Sequence, residues 1–518
     1  MQICRKLILL IFTFTTVIKL QAQPKYNVPD ADKPGPKREF RGAWIATVEN
    51  IDWPSKSGLT TAQQKNELTA LLDFLQQNGI NAVMLQIRPA ADAFFAKSIE
   101  PWSKWLTGKQ GQAPDPLYDP LEFAITEAHK RGMELHAWFN PYRATNDGKF
   151  SALSPAHITR LKPEWFFIYG GIKLFNPGIP EVRDYIVKVF LDVVDNYDID
   201  GVHMDDYFYP WPIAGQKIND GETFNQYGAG FDNIKDWRRN NVDLMVKMLS
   251  DSIHKHKPRV KFGISPFGVW ANKNQNPEGS ATNGGSSYYE IYCDSRKWMK
   301  EGWLDYINPQ LYWPVNDHNN PFDTLMTWWS NNTYNRHLYI GQAPYRILER
   351  RTSRYKNPTE IPNEIKYLRN NPRVQGSVFF STKSLLRDPL GVTDSLRENY
   401  YKYPALPPPM LWLDSIPPNP PINFTATVAN NNVALKWAAP LPAKDKEPVY
   451  GYVIYRFDGN EKVNIEDPKY ILHIQYNDST FYSDDSVKKG NTYLYVVTAL
   501  DRLKNESDPS PTIAAILH

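Results

Sequence analysis

Hydrophobic and polar positions along the chain follow two alternating periods. Short apolar runs occur at Arg41–Val48, Ala82–Arg88, Glu134–Phe139, Gly201–Asp205, Lys261–Ser265, Tyr306–Gln310, Leu338–Gly341 and Gly376–Phe380, and each reads as a buried strand. Between them apolar residues recur every three or four positions, as Leu68, Leu71, Leu72 and Leu75 do within Thr61–Asn78. That spacing predicts helices there and at Pro120–Arg131, Glu181–Tyr197, Asp232–His256, Tyr288–Glu301, Phe322–Asn331 and Thr359–Asn370. Gln77-Asn78-Gly79 and Lys130-Arg131-Gly132 have the form of helix ends closed by a left-handed glycine. Eight strands alternating with helices predict a parallel sheet closed into a (β/α)8 TIM barrel. An open doubly wound sheet is the alternative. It would usually carry a Gly-rich nucleotide loop after the first strand, where this chain has GAWIATVEN.

The periodicity changes after the barrel. Tyr403 to Pro421 is the densest proline stretch, and repeated prolines deny both helix and ladder hydrogen bonds, so a domain boundary is expected there. Beyond it, NFTATV, VALKWA, VYGYVIYRF and TYLYVVTALD are separated by polar turns, the pattern of a small all-β, immunoglobulin-like sandwich. Trp437, Tyr452, Tyr455 and the alternation Tyr493-x-Tyr495-x-Val497-x-Ala499 resemble a fibronectin type III domain. That resemblance implies a spacer or weak binder whose aromatic residues are core. The expected organisation is a signal peptide at 1–22, a lead-in at 23–37, the barrel at 38–403, a linker at 404–421 and the sandwich at 422–518.

Charge and cysteine content narrow the setting. Lys and Arg number 59 against 56 Asp and Glu, and Arg5, Lys6 and Lys19 fall in the first 22 residues, which leaves 56 of each sign after cleavage. A balanced chain is not built around a phosphate backbone, so no nucleic-acid partner is expected. The basic start, the apolar run Leu7–Ile18 and Leu20-Gln21-Ala22 read as an export signal, too short for a confident membrane span. The expected location is the periplasm or cell envelope, without a transmembrane anchor after cleavage. Only Cys293 then remains, which excludes an internal disulfide and a thiolate metal cluster.

In a parallel barrel the chemistry gathers at the carboxyl ends of the strands. Those ends read QIRPAADAFF, HAWFNPYR, GVHMDDYFYP, GISPFGVW and INPQLYWP. Arg88, Asp92, His136, Asn140, Tyr142, Arg143, His203, Asp205, Asp206, Tyr207, Gln310, Tyr312 and Trp313 are therefore expected around one mouth, combining hydrogen-bonding groups with flat apolar faces as a sugar site requires. Along the fourth strand His203 and Asp205 share one face. Asp205 is the expected central carboxylate, with Asp206 as its neighbour or orienting group. Two adjacent acids repel, which raises one pKa and leaves a proton to donate. A second carboxyl group is less obvious; Glu49 and Asp92 are the remaining acids at strand ends, Glu49 being the candidate catalytic partner and Asp92 a candidate substrate contact, with a solvated loop charge as the plainer reading of either. His136, His203 and Asp205 lack a complete ligand spacing, so no metal is expected, and no cofactor motif or nucleophilic Ser or Cys motif occurs. Arg88 and Arg143 suit a sugar-borne carboxylate, or salt bridges to Asp92 or Asp205.

With RGAWIATVENIDWP, these motifs resemble the glycosyl hydrolase-like family 10 proteins, exported (β/α)8 barrels of bacterial envelopes. The likeness spans about Lys37 to Tyr403, and RGAWIATV, DGVHMDDYFYP and NPQLYW are its most specific parts. It implies a glycosidase that cuts glycan strands of peptidoglycan stripped of stem peptides, a substrate with N-acetylated sugars. DGVHMDDY also has the outline of the chitinase-type DxxDxDxE block, with His203 at its second acid and Tyr207 where the proton-donating Glu would stand. That departure leaves open a substrate-assisted reaction in which Asp205 orients the 2-acetamido group. Two other readings stay open: a non-catalytic glycan-binding or scaffold protein, and a hydrolase of dietary or host polysaccharide.

Overall fold

The computed structural model describes residues 35–349, 356–429 and 431–517 of the 518; the expected signal peptide lies outside them. Eight parallel strands close into a barrel: β1 Phe40–Ile45, β2 Ala82–Arg88, β3 Glu134–Phe139, β4 Gly201–Met204, β5 Lys261–Ile264, β6 Tyr306–Ile307, β7 His337–Gln342 and β8 Gly376–Phe379. Each strand pairs with its sequence neighbours, and β1 closes on β8 with Phe40 opposite Gly376 and Ala43 opposite Phe379. Every residue of the eight strands is buried, as expected when helices cover the outside and side chains fill the inside.

The helices start and stop where local chemistry dictates. Thr60 and Gln63 form a reciprocal capping box on Thr61–Gln77, and the carboxylate of Asp119 caps Pro120–Lys130. Gly79 and Gly132, at φ 75° and 64°, end those two helices. The expected helix Tyr288–Glu301 is instead two short ones, Ser287–Glu290 and Ser295–Lys300. The left-handed backbone at Tyr292 (φ 56°) breaks the run, and the Asp294 side chain caps the second piece. An antiparallel hairpin, Phe166–Tyr169 with Ile172–Phe175, was not foreseen; it follows β3.

After the barrel, seven antiparallel strands form two sheets. Ile422–Ala429, Asn432–Ala438 and Phe481–Asp484 make one; Ile471–Gln475, Gly451–Asp458, Thr492–Leu500 and Ile513–Ile516 make the other. Trp437, Tyr452, Tyr495 and Val497 pack between them. This domain covers the amino-terminal end of the barrel. Tyr450 bonds His129 and Asp200, and Arg502 pairs with Asp198. The proline-rich segment is a strap on the same face. Its Leu406 exchanges backbone hydrogen bonds with Lys37 and Glu39, Met410 is buried, and Trp412 Nε1 donates to Asp305 (2.9 Å). Among the described residues no helix is long and apolar enough to cross a membrane.

Candidate active site

A cleft of about 350 Å³ opens at the carboxyl end of the barrel. Inward-facing residues at the tops of successive strands make its floor: Trp44 from β1, Gln86 from β2, Trp138 from β3, and Asp205 and Asp206 just past β4. One wall is Trp211 and Phe267, with ring centroids 4.9 Å apart and Trp313 packed behind Phe267 at 5.4 Å. The other is Tyr312, Tyr345 and Phe380, where the two tyrosines meet edge to face at 6.0 Å. Among the described residues, the acids that line this cleft are Asp205 and Asp206.

Asp205 is 4% exposed and held by several donors. Trp138 Nε1 donates to its Oδ2 (3.1 Å), Asn140 Nδ2 lies 3.2 Å from the same oxygen, and the Tyr207 amide donates to Oδ1 (3.3 Å). Burial, with the charge of Asp206 added, pushes its carboxyl up to about 7 against the pull of Arg143 and the Trp138 bond. Asp206 is pushed up to about 6, again by burial, with Gln310 bonded to it and Arg143 acting the other way. Adjacent interacting acids titrate as a pair, and burial raises both of these. Arg143 is poised above them by a bond from its own amide to Asn140 Oδ1 (2.9 Å) and by stacking over the Tyr207 ring at 4.0 Å.

The other residues expected at the mouth lie elsewhere. Arg88 is fully buried and forked onto Glu100, with both N–O distances 2.6 Å, so its guanidinium serves an internal ion pair. Asp92 is 2% exposed, outside the cleft, beside Gln110 and the Ala90 amide; burial pushes it up to about 7. Tyr142 is wholly buried. Asn140 is also buried and meets Asp205 rather than open cleft. His136 and His203 stand inside the barrel beneath the floor, both bonded to the Tyr306 hydroxyl. Burial lowers both imidazoles below their usual range, His203 the further, while Glu134 pulls His136 the other way. Glu49 is exposed on the loop after β1, at φ 54°.

Sequence reasoning had not singled out Trp44, Gln86, Trp138, Trp211, Ser265, Phe267, Tyr345 and Phe380 as cleft residues. A signal was present for the first three: each occupies an inward position, two-residue period, at the top of its strand. Gln86 also braces the loop above β1, its Oε1 accepting from the amides of Thr47 (3.1 Å) and Val48 (2.9 Å).

Known proteins resemble this chain closely. "Glycosyl hydrolase YngK" of Bacillus subtilis is 44% identical over 98% of this chain and 99% of its own length. "Glycosyl hydrolase DigH" of Escherichia coli K12 is 40% identical over 63% of this chain and 78% of its own. The glycoside hydrolase domain of PgaB (BpsB) from Bordetella bronchiseptica aligns with 69% of this chain and 99% of that domain at 11% identity and a TM-score of 0.45. The profile of the family described as glycosyl hydrolase-like 10 matches residues 39–356. A barrel with two buried carboxylates at its open end, matched by that profile over most of its length, belongs to the glycosyl hydrolase-like 10 family.

Proposed function

We propose that this protein is an exported glycoside hydrolase of the cell envelope that cleaves peptidoglycan glycan strands freed of stem peptides. The observation that carries the reading is the Asp205–Asp206 pair in an aromatic-walled cleft, both carboxyls raised by burial. Asp205, the acid that keeps its proton longer, donates it to the glycosidic oxygen. Asp206, ionised first, orients the 2-acetamido group of the sugar, whose carbonyl oxygen attacks the anomeric carbon as the leaving sugar departs. Water then attacks the anomeric carbon and opens the cyclic intermediate, and the Asp205 carboxylate takes up the proton lost by that water. Trp211, Phe267, Tyr312 and Tyr345 provide stacking faces for sugar rings. Arg143 is placed to read a carboxylate carried by a sugar, a role its fork geometry suits and which Arg88, paired inside the barrel, does not share. Export rests on the amino-terminal signal pattern. The order of sandwich strands, three in one sheet and four in the other, supports the fibronectin type III reading of the tail.

Turnover is measured on peptide-free glycan strands, chitin and plant glucans in parallel. The expected result is new reducing ends from peptide-free strands alone, abolished in Asp205→Asn. Binding without cleavage would make the barrel a lectin, and cleavage of plant glucans alone would make it a polysaccharide scavenger.

A further inference from the structure

Beneath the cleft floor a column of side chains runs down the barrel axis. Trp44 Nε1 stands 3.1 Å from His203 Nε2, and His203 Nδ1 stands 3.0 Å from the Tyr306 hydroxyl. That hydroxyl is 2.8 Å from His136 Nδ1, and His136 Nε2 is 3.1 Å from Glu134 Oε2. An indole can only donate and a carboxylate can only accept, so the two ends set every proton between them. His203 carries its proton on Nδ1 and donates to Tyr306. Tyr306 donates to His136 Nδ1, and His136 donates from Nε2 to Glu134.

Glu134, at the base, is wholly buried between two ammonium groups. Lys261 Nζ from β5 is 2.5 Å from its Oε1, and Lys504 Nζ is 3.3 Å from the same oxygen. Lys504 does not belong to the barrel. It sits at φ 68° in the sandwich turn after Asp501, lies 4.4 Å from the ring centroids of Tyr450 and Tyr476, and is fully buried. The remaining groups around the base are Asp200, itself paired with His129 and near Arg502, and the neutral His337, Tyr306 and Tyr339 of the adjoining strands. The two lysines together hold the Glu134 carboxyl well below its usual range against the opposing effect of burial.

The geometry points to Lys504 as a positioning residue for the cleft: the sandwich inserts a cation that keeps Glu134 an acceptor, which fixes the polarity of the column and so the seat of Trp44 under the ligand. Were Glu134 to gain a proton, the column could reverse. His203 would then turn Nε2–H towards the Ser265 hydroxyl, 3.2 Å away, and leave the buried Trp44 N–H facing a donor with no acceptor, so the floor would have to shift. The tail domain thus takes part in the site from the opposite end of the barrel. Only the kinetic arm of the following test depends on the glycosidase reading.

The test uses full-length protein labelled with 15N at histidine. Wild type is expected to show His203 neutral and protonated on Nδ1 from pH 5 to pH 8. In Lys504→Met the Glu134 carboxyl titrates higher, so the His203 and His136 ring signals should change towards the reversed tautomers at the acid end. The acid limb of kcat should rise by about one pH unit with KM unchanged, and Lys504→Arg should restore both. Arg259→Gln serves as control. It removes an ion-pair cluster with Asp414, Asp445 and Glu447 at the same junction and should lower Tm without moving either readout. An Nε2-protonated His203 in wild type overturns the proposal whether or not Lys504→Met folds, as does a folded Lys504→Met with wild-type ring signals throughout.

Discussion

Trp138 donates its indole N–H to Asp205 Oδ2 over 3.1 Å, tying the top of β3 to the carboxylate that follows β4. A hydrogen bond to an ionised carboxylate contributes about 1.5–3 kcal/mol. Trp138→Phe keeps an aromatic ring, though a smaller one, and removes the donor, so kcat should fall about tenfold to a hundredfold. Because that bond favours the ionised form, its loss should raise the Asp205 pKa. The alkaline limb of the pH–rate profile, set by the acid that must stay protonated, should move up.

Asp206→Asn should separate stability from turnover. A carboxyl whose pKa is about 6 when folded and about 4 when unfolded binds its proton more tightly in the fold. It therefore favours folding at low pH, and that contribution disappears as pH rises from 4 through 6. The amide has no proton to lose. The variant should have a higher Tm than wild type at pH 7–8, by up to about 3 kcal/mol in stability, with the gain fading towards pH 4. Activity should be lost, and the Asp205 pKa should drop once its charged neighbour is gone. Thermal melts across pH 4–8, a turnover assay and an NMR titration of the Asp205 carboxyl check these three outcomes.

Arg88→Met should damage the fold rather than substrate affinity. It strands the Glu100 carboxylate in the interior, which costs about 3–5 kcal/mol. Arg88→Met with Glu100→Gln should recover much of the lost Tm, since neither charge is then left buried alone. Had Arg88 gripped substrate, the double variant would still show a raised KM.

Trp211→Ala removes a stacking face on one wall of the cleft. The expected outcome is a KM increase of about tenfold, equivalent to about 1.4 kcal/mol, with kcat unchanged. A series of glycan lengths would show the loss only for strands long enough to reach that wall.

The barrel was legible because its strands are short, mostly apolar and separated by helical periodicity from Thr61 to Asn370; those are local properties. The site was legible only in part. Asp205, Asp206, Arg143, Tyr207, Gln310 and Tyr312 do line the cleft, since they directly follow strands that end at one rim. Arg88 misled because its partner, Glu100, lies in a loop whose path no periodicity describes. His136 and His203 misled for a different reason: they have the right parity to face inward but sit too low on their strands, and depth depends on barrel shear, which a single sequence does not display. Trp44 and Trp138 were passed over for the same reason in reverse. The contribution of Lys504 could not have been read at all, because it depends on the docking of one domain on another.

The proline strap has a consequence for how such proteins can be recombined. Cut after Tyr403, the barrel would lose the Ala405 carbonyl that receives the Asn81 side-chain amide, the Trp412 indole on Asp305, and one of the two cations on Glu134. Modules that come and go freely in other enzymes cannot simply be exchanged here. Any replacement would have to bring its own stopper for an acidic well.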